Sequence, residues 1–230
     1  MKREDFLQGP VTVTAYDWVP ELAQGFVRDL RLRWALEEAG FAYEARLIPH
    51  SKRESAENLA RQPFGQVPVL GVADRSMFES GACVWRIAEA SDDLLPSAPA
   101  ERDACFSWVF AALDTLSPAI DRLAFLRHFA DDREAAERIE AQAAGLLRAK
   151  LAHLAAALGE RPVLVGDRFT VADLLMAFVL RNVEANGDLA PFPALGAYVR
   201  RHTSRPAFAR ALEAQMAPFR ENAARYAAAD

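Results

Sequence analysis

An α/β half followed by an all-helical half is the fold class this sequence predicts, and three observations predict it. Short β-branched runs alternate with helical periods over residues 11–90; the stretch 92–99 breaks every period; from residue 100 onward only helical spacings recur.

The run Val-Thr-Val-Thr-Ala-Tyr at 11–16 reads as a first strand, and a loop carrying Pro20 and Gly25 follows. Phe26, Leu30 and Trp34 then recur at four-residue steps, and Gly40 stops a first helix. Residues 43–48 alternate again as a second strand, and a short polar helix fits 51–61. Residues 67–70 and 76–78, separated by turn-like residues, read as an antiparallel hairpin, and 80–90 as a helix. The order β-α-β-α-β-β-α is that of a thioredoxin-like domain, its first two strands parallel across a helical crossover. Asp92-Asp93-Leu94-Leu95-Pro96-Ser97-Ala98-Pro99 reads as a linker. The chain therefore divides into a first domain at 1–91, a linker at 92–99 and an all-α domain at 100–230.

In the helical half, Phe106, Val109, Phe110 and Leu113 mark one face, and Ile120, Leu123 and Leu126 continue it after a bend expected at Pro118. Residues 135–158 form a long alanine-rich helix carrying Ile139, Leu146, Leu147, Leu151, Leu154 and Leu158. Thr170 followed three residues later by Asp173 is a capping box with Asp in place of Glu. Phe169 and Leu174 stand at the positions of a hydrophobic staple. The helix that follows, 174–183, is apolar almost all round and is expected at the centre of its domain. Asp173 is a folding residue on this reading.

The 230 residues suffice for a buried core, and 52% hydrophobic with 26% charged residues is ordinary for a soluble globular chain. A net charge of -5 argues against a nucleic-acid partner, which needs a concentrated basic face. The nearest cluster, Arg28, Arg31 and Arg33, runs straight into Glu37 and Glu38 and reads as a solvated helix face. No apolar run approaches the ~18 residues of a membrane span, and the charged start at 1–5 leads into no secretory core. The cytoplasm is the default compartment. Cys83 and Cys105 form no C-x-x-C pair and read as small buried hydrophobes. The four histidines lack zincin spacing, and neither a phosphate loop nor a G-x-S-x-G elbow is present, so no metal site is expected.

The most informative segment is Gln66-Val67-Pro68-Val69-Leu70 with Phe78-Glu79-Ser80-Gly81-Ala82 after it. Proline cannot donate to a ladder and belongs at a strand's first residue, often in a tight turn with a cis bond. The Val67 backbone is then turned out of the sheet, leaving its N–H and C=O to an extended, peptide-like ligand. Glu79 and Ser80 place a carboxylate, a hydroxyl and unpaired helix N–H groups at a helix start, which favours anions. The bland alternative is a helix start with Ser80 as its cap.

These motifs resemble the glutathione-binding half of the glutathione transferase superfamily, and the capped helix resembles the core of its C-terminal domain. The resemblance implies glutathione as co-substrate, held at its cysteinyl backbone by Val67 and Pro68 and at its γ-glutamyl end by Glu79 and Ser80, with Gln66 lining the pocket. It also implies a thiol activator at the end of the first strand or in the loop that follows. That loop, 17–25, contains no Ser, Thr, Cys or Tyr. Tyr16 is therefore either the catalytic activator or an aromatic packed beneath the loop. Arg28 either adds positive potential or is structural; His50, Lys52 and Arg53 either supply a cation for the glycyl carboxylate or decorate an exposed loop. The implied activity joins the glutathione thiolate to a small hydrophobic electrophile, and the implied assembly is a homodimer. The alternative keeps the fold without the catalysis, as a regulatory or protein-interaction module. The missing hydroxyl, Gly81 and the long tail at 217–230 point to it.

Overall fold

The computed structural model describes residues 9–91 and 93–227; the charged start at 1–5, Asp92 of the linker and the last three residues of the tail lie outside the described residues. Strand β1 (Val11–Tyr16) pairs in parallel with β2 (Glu44–Ile48) and antiparallel with β3 (Val69–Val72), which pairs antiparallel with β4 (Arg75–Met77). The four-stranded order is β2-β1-β3-β4. Val13, Ala15, Val69 and Leu70 are buried in the core.

Helix α1 (Asp29–Ala39) makes the crossover from β1 to β2 and ends at Gly40, whose φ of 68° is the left-handed geometry glycine adopts at little cost. The polar segment at 51–61 is a 3-10 turn (His50–Lys52) followed by one helical turn, α2 (Ala56–Leu59), capped by Ser55. Helix α3 (Ser80–Glu89) closes this half. The helical half contains α4 (Pro99–Phe110), a π-helical stretch (Ala111–Leu116), α5 (Ser117–His128), α6 (Arg133–Leu158), α7 (Val171–Ala185) and α8 (Pro193–Thr203). Last comes α9 (Pro206–Ala227).

Two compact units result: residues through Leu95 together with those from Ser204 on, and Pro96–Thr203. Chain order puts α9 in the helical half, but packing puts it against α1 in the first unit. Arg205 holds both carboxylate oxygens of Glu38 at 2.6 and 2.7 Å, and Gln215 donates to Asp29 at 2.6 Å. The same pairing corrects the solvated arginine face. Arg31 and Arg33 are only 4% and 2% exposed, because Arg33 turns inward to Asp29 at 2.8 Å and donates to the Ala214 carbonyl at 3.1 Å. A buried ion pair is costly unless further donors are satisfied, and α9 supplies one acceptor, the Ala214 carbonyl.

In the second unit, Val109 is buried, and Phe106 and Phe110, on the same face of α4 with their rings 4.9 Å apart, are 47% and 46% exposed. The irregularity expected at Pro118 lies just before it. Proline offers no N–H to the carbonyl four residues back, and the π-helical stretch absorbs that lost bond and shifts the helix register. In α6, Leu147, Leu151, Leu154 and Leu158 are buried while Ile139 and Leu146 face outward. The centre of the unit is α7, where Val171 to Leu180 are all buried.

Candidate functional site

Strand β3 is entered through a cis bond between Val67 and Pro68, as the sequence led one to expect. The loop before it is folded by a residue the sequence reading passed over. Gln62, 2% exposed, accepts hydrogen bonds from the backbone N–H of Phe64 at 2.6 Å and of Gln66 at 3.3 Å. Gly65 supplies the left-handed turn between them (φ 64°), and a Cβ there would stand 3.3 Å from the Arg53 carbonyl. Pro63 and Gly65 announce a turn in the sequence, but nothing local marks Gln62 as its anchor.

On the other side, Glu79 precedes α3 with φ 66° and ψ 106°, a conformation that costs a non-glycine residue on the order of 1–3 kcal/mol. Such strain persists where surrounding structure enforces it, and here it turns the chain so that Ser80 opens the helix. Ser80 is 7% exposed, and its hydroxyl accepts from Arg31 Nη1 at 3.1 Å. One depression brings these parts together: Gln66, Val67, Pro68, Glu79 and Ser80 line it, with Gln62 and Arg28 completing the wall. A buried guanidinium behind Ser80 and the N-terminus of a ten-residue helix both direct positive potential at this floor. The arrangement can hold an extended backbone on one side and an anionic group on the other.

Tyr16 is not among the residues of that wall. It ends β1, half-buried, with its ring 5.1 Å from that of His50. Burial raises the pKa of its hydroxyl, and the nearby Arg53 guanidinium opposes that shift. His50 and Arg53 contact each other at 3.1 Å, and Arg53 pairs with Glu54 at 3.0 Å. Lys52 is exposed, and these three residues stand apart from the depression's wall.

The loop after Tyr16 is tied to the end of α9. The Tyr226 hydroxyl donates to Asp17 Oδ1 at 2.8 Å, and Asn222 Nδ2 donates to the Asp17 carbonyl at 3.3 Å. The Tyr226 ring stacks on Trp18 at 4.7 Å, with 10° between the planes. The tail read from sequence as a candidate cover is thus helical through Ala227 and closes over residues 17–18.

Comparison with known proteins agrees with both halves. The chain matches the family described as "Glutathione S-transferase, N-terminal domain" over residues 12–89 and "Glutathione S-transferase, C-terminal domain" over residues 115–206. It is 30% identical to "Glutathione S-transferase 3" of Zea mays over 203 residues, 80% of this chain and 88% of the maize protein. To "Glutathione S-transferase 4" of Zea mays it is 33% identical over 148 residues, spanning 61% of this chain and 66% of that relative. Among solved structures, the yeast prion protein Ure2p in complex with S-hexylglutathione superposes with a TM-score of 0.77. The two share 21% identity, and the match covers 89% of this chain and 98% of that one.

Proposed function

This chain belongs to the glutathione S-transferase superfamily, and on that premise we propose that its depression binds glutathione and that the protein transfers the thiolate to a small apolar electrophile. The observation that carries the reading is the meeting of the Val67–Pro68 backbone with Glu79 and Ser80 on one wall. Val67 would exchange backbone hydrogen bonds with the cysteinyl residue of the tripeptide. Glu79 would accept from the γ-glutamyl ammonium, and Ser80, backed by Arg31, would receive the γ-glutamyl carboxylate. Gln66 would border the same pocket. Glutathione here is a co-substrate, and its homologous use by the relatives supports the assignment.

The thiol must be deprotonated to attack, and a cysteine-type thiol ordinarily titrates near ~8.5. Tyr16 is the hydroxyl at the end of β1. Its raised pKa keeps it protonated at neutral pH, able to donate to a thiolate. The reaction would then be thiol binding, stabilisation of the sulfur anion, and attack on the electrophile. A homodimer in the cytoplasm is the assembly and compartment that go with this reading.

A specific observation favours a second reading, a glutathione-binding module without turnover. Residues 17–25 offer no hydroxyl of their own, and α9 holds Asp17 and Trp18 in place. Isothermal titration with glutathione tests the pocket: saturable heat is expected from the native protein and none from the Glu79→Ala, Ser80→Ala double variant. Turnover of 1-chloro-2,4-dinitrobenzene then separates the two readings, with Tyr16→Phe expected to lower kcat by about tenfold or more if its hydroxyl steadies the thiolate. Glutathione binding with no turnover of such electrophiles would leave the module reading in place. No heat from the native protein would overturn both.

A further inference from the structure

Helix α9 is built in two parts. Pro218, buried inside it, has no N–H for the Ala214 carbonyl one turn back, so the helical ladder is open there, and that carbonyl accepts from Arg33 Nη1 at 3.1 Å. Before the proline the helix is tied along α1. Arg205 holds Glu38, Arg210 holds Glu37 at 2.6 Å, and Gln215 donates to Asp29 and, at 3.1 Å, to the Val27 carbonyl.

Beyond the proline the fastening changes. Phe219 is buried, but over 220–227 only Asn222 and Tyr226 are partly covered and the rest are exposed. Both reach the same place. Asn222 donates to the Asp17 carbonyl, the Tyr226 hydroxyl donates to the Asp17 carboxylate, and the Tyr226 ring lies on Trp18. Arg225 adds an ion pair to Asp17 at 3.5 Å, and its exposure keeps that contribution small.

The loop they hold is closed on itself. The Asp17 N–H bonds to the Ile48 carbonyl at 3.0 Å and Gln215 pins Val27, so both ends are anchored. Between them the Ala23 N–H bonds to the Pro20 carbonyl at 2.8 Å, and the Gln24 side chain donates to the Val19 carbonyl at 3.0 Å. Gly25 turns the chain with φ 79°. Such a loop keeps its shape while pivoting on its ends, and it runs from Tyr16 to Arg28 of the depression's wall. With a ladder bond missing behind it and two partly covered side chains in front, the end of α9 belongs to the least stable part of the fold.

We propose that residues 220–227 are a latch: they swing at Pro218 as one unit, and their release frees the loop 18–26 to lift from the end of β1. The latch is a property of the fold alone. It is read without ligand and is independent of the glutathione assignment.

Amide relaxation dispersion on the full chain, with the Trp18 indole included, tests it. Residues 220–227, 18–26 and that indole should share one exchange rate, with 208–215 flat. Tyr226→Phe removes one hydroxyl near the end of the chain and should raise the open population about tenfold in both segments. Asp17→Asn keeps an oxygen for the Tyr226 hydroxyl and should change it far less. Pro218→Ala restores the ladder N–H and should lower it. The proposal is overturned by dispersion confined to the end of α9, which is ordinary fraying, or by dispersion reaching 208–215, which denies the division at Pro218. It is equally overturned by flat profiles in both the native protein and Tyr226→Phe, or by an unchanged population in Pro218→Ala. Should Pro218→Ala melt below the native protein, Asn222→Ala removes the other fastening and must again raise the population in both segments together.

Discussion

Cys83 lies near the start of α3 with no exposed surface, its thiol donating to the Met77 carbonyl at 3.3 Å. Burial pushes that thiol from 9.0 to about 12, and burial also raises the Cys105 thiol. The thiolate is the reactive form, so neither cysteine of the native protein should react with Ellman's reagent at pH 8, and both should react in denaturant. The same shift sets an alkaline limit. Above pH 9 the unfolded chain releases the Cys83 proton, while the native chain holds it to about pH 12. Its contribution to stability is therefore whole below pH 9 and lost as pH rises through that window. Urea midpoints measured across it should fall, and fall less steeply in Cys83→Ala; equal slopes would remove Cys83 as the cause. Arg31 makes the contrasting case: a long basic side chain only 4% exposed, whose Nη1 donates to the Ser80 hydroxyl.

At the scale of the element, α7 is held by one carboxylate. Asp173 Oδ2 accepts from the Thr170 N–H at 3.0 Å, closing the capping box, while Oδ1 accepts from the Leu164 N–H and the Tyr198 hydroxyl, both at 2.8 Å. A helix cap alone contributes about 1 kcal/mol, but Asp173→Ala strands three buried donors at once. The expected loss is on the order of 3 kcal/mol or more, read as a drop in urea midpoint at unchanged slope. A loss no larger than that of Thr170→Ala would show that the far contacts contribute nothing. The box was legible in the sequence because its partners stand three residues apart, and so were the strands, the glycine stop of α1 and the cis-proline turn. Arg31 and Arg33 were not. The Ser80 acceptor of Arg31 and the Ala214 acceptor of Arg33 lie 49 and 181 residues away, and a local pattern of alternating arginines carries no record of them. The same holds for Gln62, whose acceptor role depends on how the loop closes. Phe106 and Phe110 do share one face, their rings 4.9 Å apart within regular α-helix, but spacing alone does not say that this face stays half exposed.

At the scale of the whole molecule, the first unit is discontinuous in sequence. Trp34, fully buried in α1, meets Phe208 of α9 edge-on at 4.9 Å, and Asp29 takes its second partner from Gln215. Asp29's carboxyl is raised by burial and pulled back down by Arg33 and Gln215, so removing α9 strips the compensation from a buried charge pair. A chain ending at residue 203 should lose on the order of 5 kcal/mol from this unit. That is comparable with the entire stability of many domains, and near-UV circular dichroism should show the Trp34 signal collapse. A truncated chain with an intact signal would mean that α9 is dispensable. The discontinuity also has a consequence for biosynthesis. The ribosome completes the sheet and α1 long before it makes Arg205, which lies 167 residues beyond its partner Glu38. The nascent first unit must therefore wait with Trp34 uncovered while the whole helical unit is translated, the interval in which a chaperone would find its target.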